Sequence, residues 1–139
     1  MALDELDNKI LSCLNKNGRV PYASIAKEVN LTATAVGQRV QKMIAEEVIE
    51  EFSVKLNPDK FGINIQAVIT LKLYFTKMDA FYKYLKKSAE DIEYCYRVTG
   101  DDCMILKVNF RNNSHLVEFL DGLSIYGSSK TNIIIDQLI

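Results

Sequence analysis

The sequence predicts an α+β protein in which three helices come first and a β-α-β-β-α-β order follows. Apolar residues recur at helical spacing through the first 46 residues, whereas β-branched and aromatic runs dominate after residue 62. Between these regions, residues 57–62 (NPDKFG) combine residue types typical of turns. We therefore predict a helical domain over residues 1–50, a β-strand and hinge linker over residues 51–62, and an α+β domain over residues 63–139.

The first domain contains three predicted helices. Apolar spacing places the first helix over about residues 4–16, before an Asn-Gly pair that tolerates a left-handed stop. Pro21 suits the start of a short second helix that ends at Asn30, whose side chain permits a positive φ. Thr32 is a candidate N-cap for a third helix that runs to about Glu46. The second helix, the tight turn and the third helix together predict a helix-turn-helix.

The rest of the chain is rich in strand-forming residues. Strands are predicted over residues 48–56, 63–75, 92–99, 103–110 and 130–139, and amphipathic helices over residues 77–89 and 114–123. From residue 63 onwards this order is that of the split βαβ, or ferredoxin-like, arrangement. Helices on one face of an antiparallel sheet leave the other face open, which favours dimerisation.

Composition narrows the classes of function. The chain has 17 Lys plus Arg against 18 Asp plus Glu, so no global basic field indicates a nucleic-acid partner. Its acidic beginning, MALDELDNKI, lacks the pattern of a signal peptide, and no run approaches the roughly 18 apolar residues of a membrane span. We therefore expect a cytoplasmic protein with no membrane partner.

The chemistry-bearing residue types predict no enzyme. Cys13, Cys95 and Cys103 show no C-x-x-C spacing, and with His115 as the single histidine they do not form a closed zinc site. Six scattered glycines contain neither a P-loop nor a dinucleotide-binding motif. We expect reduced thiols, no catalytic or metal site, and no cofactor.

The third predicted helix carries a polar face that admits two interpretations. Such faces are usually just solvated. The second helix of a helix-turn-helix, however, enters the major groove, where glutamine and arginine bond to base edges while lysine and threonine reach phosphates. Residues 1–60 hold eight Lys plus Arg and nine Asp plus Glu, so we expect modest non-specific affinity. The predicted DNA contacts are Thr32, Thr34, Gln38, Arg39 and Lys42.

Short motifs occur in a fixed order through nearly the whole chain. In the first half they are Leu3-Asp4, Asp7, Ile10-Leu11, Gly18-Arg19, Ile25-Ala26, Val29, Leu31-Thr32, Val36, Arg39-Val40, Val48-Ile49, Asn57-Pro58 and Phe61-Gly62. In the second half they are Cys95-Tyr96, Val98-Thr99-Gly100-Asp101, Leu106-Lys107-Val108 and Thr131. Together they resemble the Lrp/AsnC family, the feast/famine transcription regulators. Asn30 and Glu47 stand where that family often has glycine, and Cys103 stands where it usually has an acid.

The resemblance implies a homodimer, often assembled into octamers, that binds double-stranded DNA and senses an amino acid or related small metabolite. Gly100 in a turn would offer N–H groups to the effector's carboxylate, and Asp101 or Asp102 would hold its ammonium group. Gly100-Asp101 also suits a hairpin turn with no other role. The expected effector-binding residues are Thr99, Gly100, Asp101, Asp102 and Cys103.

Three functions fit the sequence. We favour a sequence-specific transcriptional regulator whose assembly or DNA binding responds to an amino acid or related metabolite. The second is an effector-independent DNA-organising oligomer, which the cysteine at position 103 motivates. The third is a ligand-binding module whose helix-turn-helix serves only as a protein contact, which the near-neutral first half motivates.

Overall fold

The fold class predicted from the sequence is confirmed by the computed structural model, which describes residues 2–139. The chain divides into two compact units, with the boundary between Lys55 and Leu56. Each unit has its own cluster of buried apolar residues. Within residues 2–139, every helix is too short or too polar to cross a membrane.

The first unit contains α1 (Glu5–Lys16), α2 (Tyr22–Val29) and α3 (Ala33–Ala45). These bounds agree with the three predicted helices. All three helices contribute to one core, whose buried members are Ile10, Leu14, Ile25, Ala26, Val29, Val36, Val40 and Met43. Burial of each large side chain in this core contributes roughly 1.5 to 3 kcal/mol, so this packing holds α3 in place.

The segment after α3 differs from its prediction. Residues 48–56 were expected to form a strand, but the structure assigns no strand to them. Phe52, Val54 and Leu56 alternate as strand residues do, yet all three side chains are more than half exposed. A strand needs a hydrogen-bonded partner strand, and the sheet that the structure describes, β2-β3-β1-β4, does not include residues 48–56. A local pattern predicts a tendency to pair and does not identify the partner.

The second unit begins with a short 3-10 helix, Pro58–Phe61, capped by Gly62 at φ 69°, which fits the turn expected in the linker. The elements that follow are β1 (Ile65–Leu73), α4 (Met78–Lys87), β2 (Ile92–Arg97), β3 (Met104–Phe110), α5 (Asn113–Ser124) and β4 (Gly127–Ile133). The strands form one antiparallel sheet in the order β2-β3-β1-β4. Phe81 of α4 and Phe119 of α5 share a core with alternating residues of β1 and β3, which places both helices on one face of the sheet.

The last strand is earlier in the chain than predicted. Residues 130–139 were expected to form it, but β4 begins at Gly127 and ends at Ile133. Gly127 lies opposite Leu73, and a Cβ atom at Gly127 would stand 2.3 Å from the carbonyl oxygen of Lys72. The absence of a side chain at Gly127 therefore permits close packing of β4 against β1.

Candidate functional site

The helix-turn-helix is shaped by two local features between α2 and α3. Asn30 adopts φ 54° and ψ 46°, as its side chain type permits, and the N–H of Leu31 donates to the carbonyl of Ala26 at 3.0 Å. Thr32 is the N-cap of α3, and its Oγ1 accepts from the N–H of Ala35 at 3.1 Å. These features stop α2, restart the helix and direct α3 away from it.

The outer face of α3 is polar and open to solvent. Thr34, Gln38, Gln41 and Lys42 are exposed, whereas Val36, Val40 and Met43 on the opposite side are buried. Within the part of the chain that the structure describes, neither glutamine side chain has a hydrogen-bond partner in the protein. Two carboxamides, a hydroxyl and an ammonium group are therefore available to an external ligand.

Arg39 has a different environment from the other predicted contacts. Its Nη1 donates to Asp4 Oδ2 and to Asp7 Oδ1, each at 2.7 Å. Both carboxylates belong to the start of α1, more than thirty residues away in sequence. The structure directs the Arg39 guanidinium to α1, and the base contact expected for Arg39 stays a prediction.

The two carboxylates also cap α1. Asp4 Oδ1 accepts from the N–H of Asp7 at 2.8 Å, and Asp7 Oδ2 accepts from the N–H of Asp4 at 3.1 Å, which is a capping box. The hydrogen bond from the Asp7 N–H, followed by that from Arg39, holds the pKa of Asp4 below its ordinary value. Hydrogen bonds to Asp4 and Asp7 raise the pKa of Arg39. The side chain of Asp7 is only 3% exposed.

The turn between β2 and β3 contains the predicted effector-binding residues. The N–H of Val98 donates to the carbonyl of Cys103 at 2.8 Å and closes the turn. Gly100 has φ 101°, so the turn requires glycine for its backbone conformation, while the space around it is open. Thr99 is exposed, whereas the partly buried Cys103 packs against the core of the second unit. The turn thus brings together the first four predicted residues at its surface and directs Cys103 inwards.

Two lysines that the sequence analysis did not single out lie beside this turn. Lys72 Nζ is 3.9 Å from Asp101 Oδ2, and Lys130 Nζ is 3.4 Å from Asp102 Oδ2. Lys72 is on β1 and Lys130 on β4, where these strands pair. Both acids predicted to hold an ammonium group therefore already face an ammonium group. The alternation of polar and apolar residues along β1 was the sequence signal that places Lys72 on the face opposite the core.

The remaining candidates give no second site within residues 2–139. Cys13, Cys95 and Cys103 are free thiols. A hydrogen bond with Glu28 raises the pKa of the Cys13 thiol, and burial raises that of Cys95, so neither is activated as a nucleophile. The described residues contain no group of three or more His, Cys, Asp or Glu side chains able to hold a metal ion.

Comparisons with known proteins agree with this geometry. The protein-family model of the AsnC-type helix-turn-helix domain matches residues 3–44. The protein-family model of the Lrp/AsnC ligand binding domain matches residues 66–139. The HTH-type transcriptional regulator LrpA of Bacillus subtilis is 31% identical over 135 residues, which is 97% of this chain and 99% of that protein.

Two solved structures share the fold. The structure of B. subtilis LrpC superposes with a TM-score of 0.92 at 23% identity, over 100% of this chain and 99% of that one. The Neisseria meningitidis transcriptional regulator NMB0573, solved as a complex with L-Met, superposes with a TM-score of 0.91 at 18% identity, over 99% of this chain and 93% of that one. With its helix-turn-helix and ligand-binding domains, and with relatives that are regulators rather than enzymes, this chain belongs to the Lrp/AsnC family of transcriptional regulators.

Proposed function

We propose that this protein binds specific double-stranded DNA through α3 and that an amino acid or related small metabolite modulates its assembly or its DNA binding. The observation that carries the DNA-binding part is the exposed polar face of α3, the second helix of a helix-turn-helix. Gln38 would contact base edges, while Thr34 and Lys42 would contact phosphates or flanking groups. The hydroxyl of Thr32 already caps α3, so its contribution to DNA contact would be secondary.

The DNA-binding part is tested by selecting bound duplexes from a random pool and measuring their affinity by fluorescence anisotropy at fixed salt. We expect Gln38→Ala to weaken binding to the selected duplex by about 1 to 3 kcal/mol and to leave binding to random DNA nearly unchanged. Asn15→Ala is a matched control, because it removes a neutral carboxamide from an exposed position on α1. Equal losses in the two variants would contradict a specific role for Gln38.

The proposal of a small-molecule effector is supported by the turn between β2 and β3 and by the match to the model of the Lrp/AsnC ligand binding domain. Gly100 is exposed with open space around it, which lets a carboxylate approach the backbone, and Asp101 and Asp102 add carboxylates beside it. The L-Met complex of the structurally similar NMB0573 supports an amino acid as the class of effector. An effector acts on DNA binding only if it prefers one state of the protein over another. Coupling of about 1 to 3 kcal/mol is typical of allosteric proteins.

Calorimetry with the twenty amino acids tests this part on the parent and on Asp101→Ala. We expect one or a few ligands to bind the parent and to bind the variant more weakly. Glu118→Ala, an acid removed from α5, provides the control. Undiminished binding by Asp101→Ala would move the site elsewhere.

A specific observation favours the alternative of an effector-independent DNA-organising oligomer. Asp101 and Asp102 already face Lys72 and Lys130, so a ligand ammonium group competes with a lysine for each carboxylate. If no amino acid binds the folded parent at millimolar concentration while DNA binding persists, this second function replaces the first.

We also propose that the second unit assembles as a homodimer, with octamers as a further state. Within residues 56–139, no helix packs on the sheet face opposite α4 and α5, and the chain after β4 exposes Ile135 at 97% and Leu138 at 87%. Apolar surface of this kind is usually covered by a second copy in a homo-oligomer. Sedimentation of the full chain at micromolar concentration should give a dimer or larger species, and Ile135→Glu should dissociate it. A monomer for the parent would refute the assignment.

A further inference from the structure

We infer that Gln38 and Gln41 read adenine bases in the major groove, and that Arg39 is a positioning residue that fixes α3 against α1. This inference rests on the proposed DNA-binding function and adds the identity of the bases. It also assigns Arg39 a role other than the base contact expected from the sequence.

The directions of the side chains separate the glutamines from Arg39. Successive residues of an α-helix are about 100° apart around its axis, so Thr34, Gln38 and Gln41 lie within about 60° of one another. On the same basis Arg39 lies about 100° from Gln38 and about 160° from Gln41. This agrees with the exposure of both glutamines and with the partial burial of Arg39 beside α1. A DNA groove that contacts both glutamine side chains therefore does not face the Arg39 side chain.

The partners of Arg39 make it costly to redirect. Asp7 is buried, and Arg39 is the cation that the structure pairs with it at 2.7 Å. If the guanidinium turned towards DNA, the Asp7 carboxylate would remain buried without its counter-charge, which is strongly unfavourable. The same guanidinium bonds to Asp4, the N-cap of α1. Arg39 thus links the start of α1 to the middle of α3 and sets the orientation of the glutamines.

The chemistry of the remaining donors selects the base. A glutamine carboxamide offers one donor and one acceptor, which match N7 and the N6 amino group of adenine in the major groove. Guanine presents two acceptors there, N7 and O6, and is matched by arginine or lysine. Lys42 lies in the last turn of α3 and carries a flexible ammonium group, a point charge that binds phosphate without the planar geometry of a base contact. Its ammonium group is therefore assigned to phosphate.

The spacing fits adjacent base pairs. Gln38 and Gln41 are separated by about 4.5 Å along the helix axis, and base pairs are separated by about 3.4 Å along each strand. The two carboxamides therefore reach the same or neighbouring base pairs. We expect each half-site to contain one or two adenines read from the major groove.

The first experiment selects duplexes from a random pool with the full-length parent, Gln38→Ala, Gln41→Ala and the control Asn15→Ala. The parent and the control should enrich the same adenine-containing half-site, and each glutamine variant should lose the preference at one base pair. Replacing that adenine with 7-deazaadenine removes the N7 acceptor. This substitution should weaken DNA binding by the parent about tenfold. It should leave DNA binding unchanged for the variant that lacks the glutamine reading that adenine.

The outcomes distinguish this inference from the proposed function. If the folded parent retains no duplex above background, DNA binding through α3 is itself refuted. If duplexes are enriched but contain no adenine that responds to 7-deaza substitution, only the reading by glutamine is overturned.

The second experiment separates positioning by Arg39 from base reading. Arg39→Met combined with Asp7→Leu replaces the buried ion pair with apolar side chains, an exchange that proteins often tolerate. It also removes the Asp7 half of the capping box and leaves Asp4 as an exposed N-cap. If Arg39 positions α3, the double variant should remain folded, select the same half-site and bind it within about threefold. A variant that melts like the parent but selects a different base would show that Arg39 reads DNA.

A conservative variant covers the case in which the double variant does not fold. Arg39→Lys keeps a cation beside Asp7 but loses the planar guanidinium that pairs with a guanine. A positioning role predicts an unchanged half-site and an unchanged response to 7-deazaadenine. A changed base preference in Arg39→Lys would overturn the positioning role.

Discussion

Replacing Glu47 with glycine should stabilise the helix-turn-helix unit. Glu47 has φ 55°, the left-handed conformation that glycine adopts without steric cost. The conformation is imposed by the end of α3. The N–H of Val48 donates to the carbonyl of Met43 at 2.8 Å and that of Glu47 to the carbonyl of Ile44 at 3.0 Å, which together form a Schellman motif. The chain therefore has to turn left-handed at residue 47 whatever residue stands there.

The magnitude follows from two opposing terms. A left-handed conformation costs a residue with a Cβ atom roughly 1 to 2 kcal/mol. Glycine loses more backbone entropy on folding, which offsets about 0.5 to 1 kcal/mol of that gain. The expected net increase in the free energy of unfolding is about 0.5 to 1 kcal/mol. The side chain of Glu47 is exposed, so its removal sacrifices little packing.

Urea unfolding followed by circular dichroism at 222 nm measures this change. Glu47→Ala is the matched control, because it removes the same charge but keeps the Cβ atom in the left-handed conformation. We expect the free energy of unfolding of the glycine variant to exceed that of the alanine variant by about 0.5 to 1 kcal/mol. Equal midpoints for the two variants would show that the strain at residue 47 does not exceed the extra backbone entropy that glycine loses on folding.

Three further predictions use the same unfolding assay. The pKa of Asp4 is lowered in the folded protein, so the contribution of Asp4 to stability is present above the ordinary carboxyl pKa of about 4 and is lost as pH falls through the folded pKa. Asp4→Asn keeps a capping side chain and should lose less stability than the parent between pH 6 and pH 3. Equal losses in the parent and the variant would contradict this. Asn30 has φ 54°, so Asn30→Ala should cost about 1 kcal/mol and Asn30→Gly close to nothing, and the reverse order would be incompatible with a left-handed cap. Gly127→Ala should destabilise the second unit by about 1 to 3 kcal/mol, because its Cβ atom would lie 2.3 Å from the Lys72 carbonyl oxygen. Gly18→Ala is the control and should have little effect, because the atom nearest to its Cβ atom would be 3.9 Å away.

The helices of the first unit were predictable because their signals are local. Apolar spacing, the Thr32 cap and the left-handed Asn30 all act within a few residues of one another. The two strand predictions that differ from the structure, at residues 48–56 and 130–139, depend on pairing with residues far away in sequence. A run of β-formers states a preference for pairing, and only the tertiary structure determines which residues pair.

The candidate sites follow the same division. The exposure of Thr34, Gln38 and Lys42 follows from helical periodicity and was predictable. The partners of Arg39 are not, because Asp4 and Asp7 lie on another helix, 35 and 32 residues away. The available signal was a pair of acids three residues apart at a helix start, which indicates a capping box and leaves open which cation approaches it.

The small number of available cations on α3 leads to a last prediction, on how many helix-turn-helix units bind one operator. Arg39 is paired with carboxylates, so Lys42 is the charged residue of α3 that faces outwards. Each phosphate contact to B-DNA contributes about 0.9 to the slope of log K against log salt concentration. Lys42→Ala should therefore reduce the slope by about 0.9 for every unit engaged, and by about 1.8 when a dimer uses both. Lys86→Ala removes the same charge from an exposed position on α4 and should leave the slope unchanged. A slope unaffected by Lys42→Ala would exclude a phosphate contact there, and a reduction near 0.9 would mean that a single unit binds each operator.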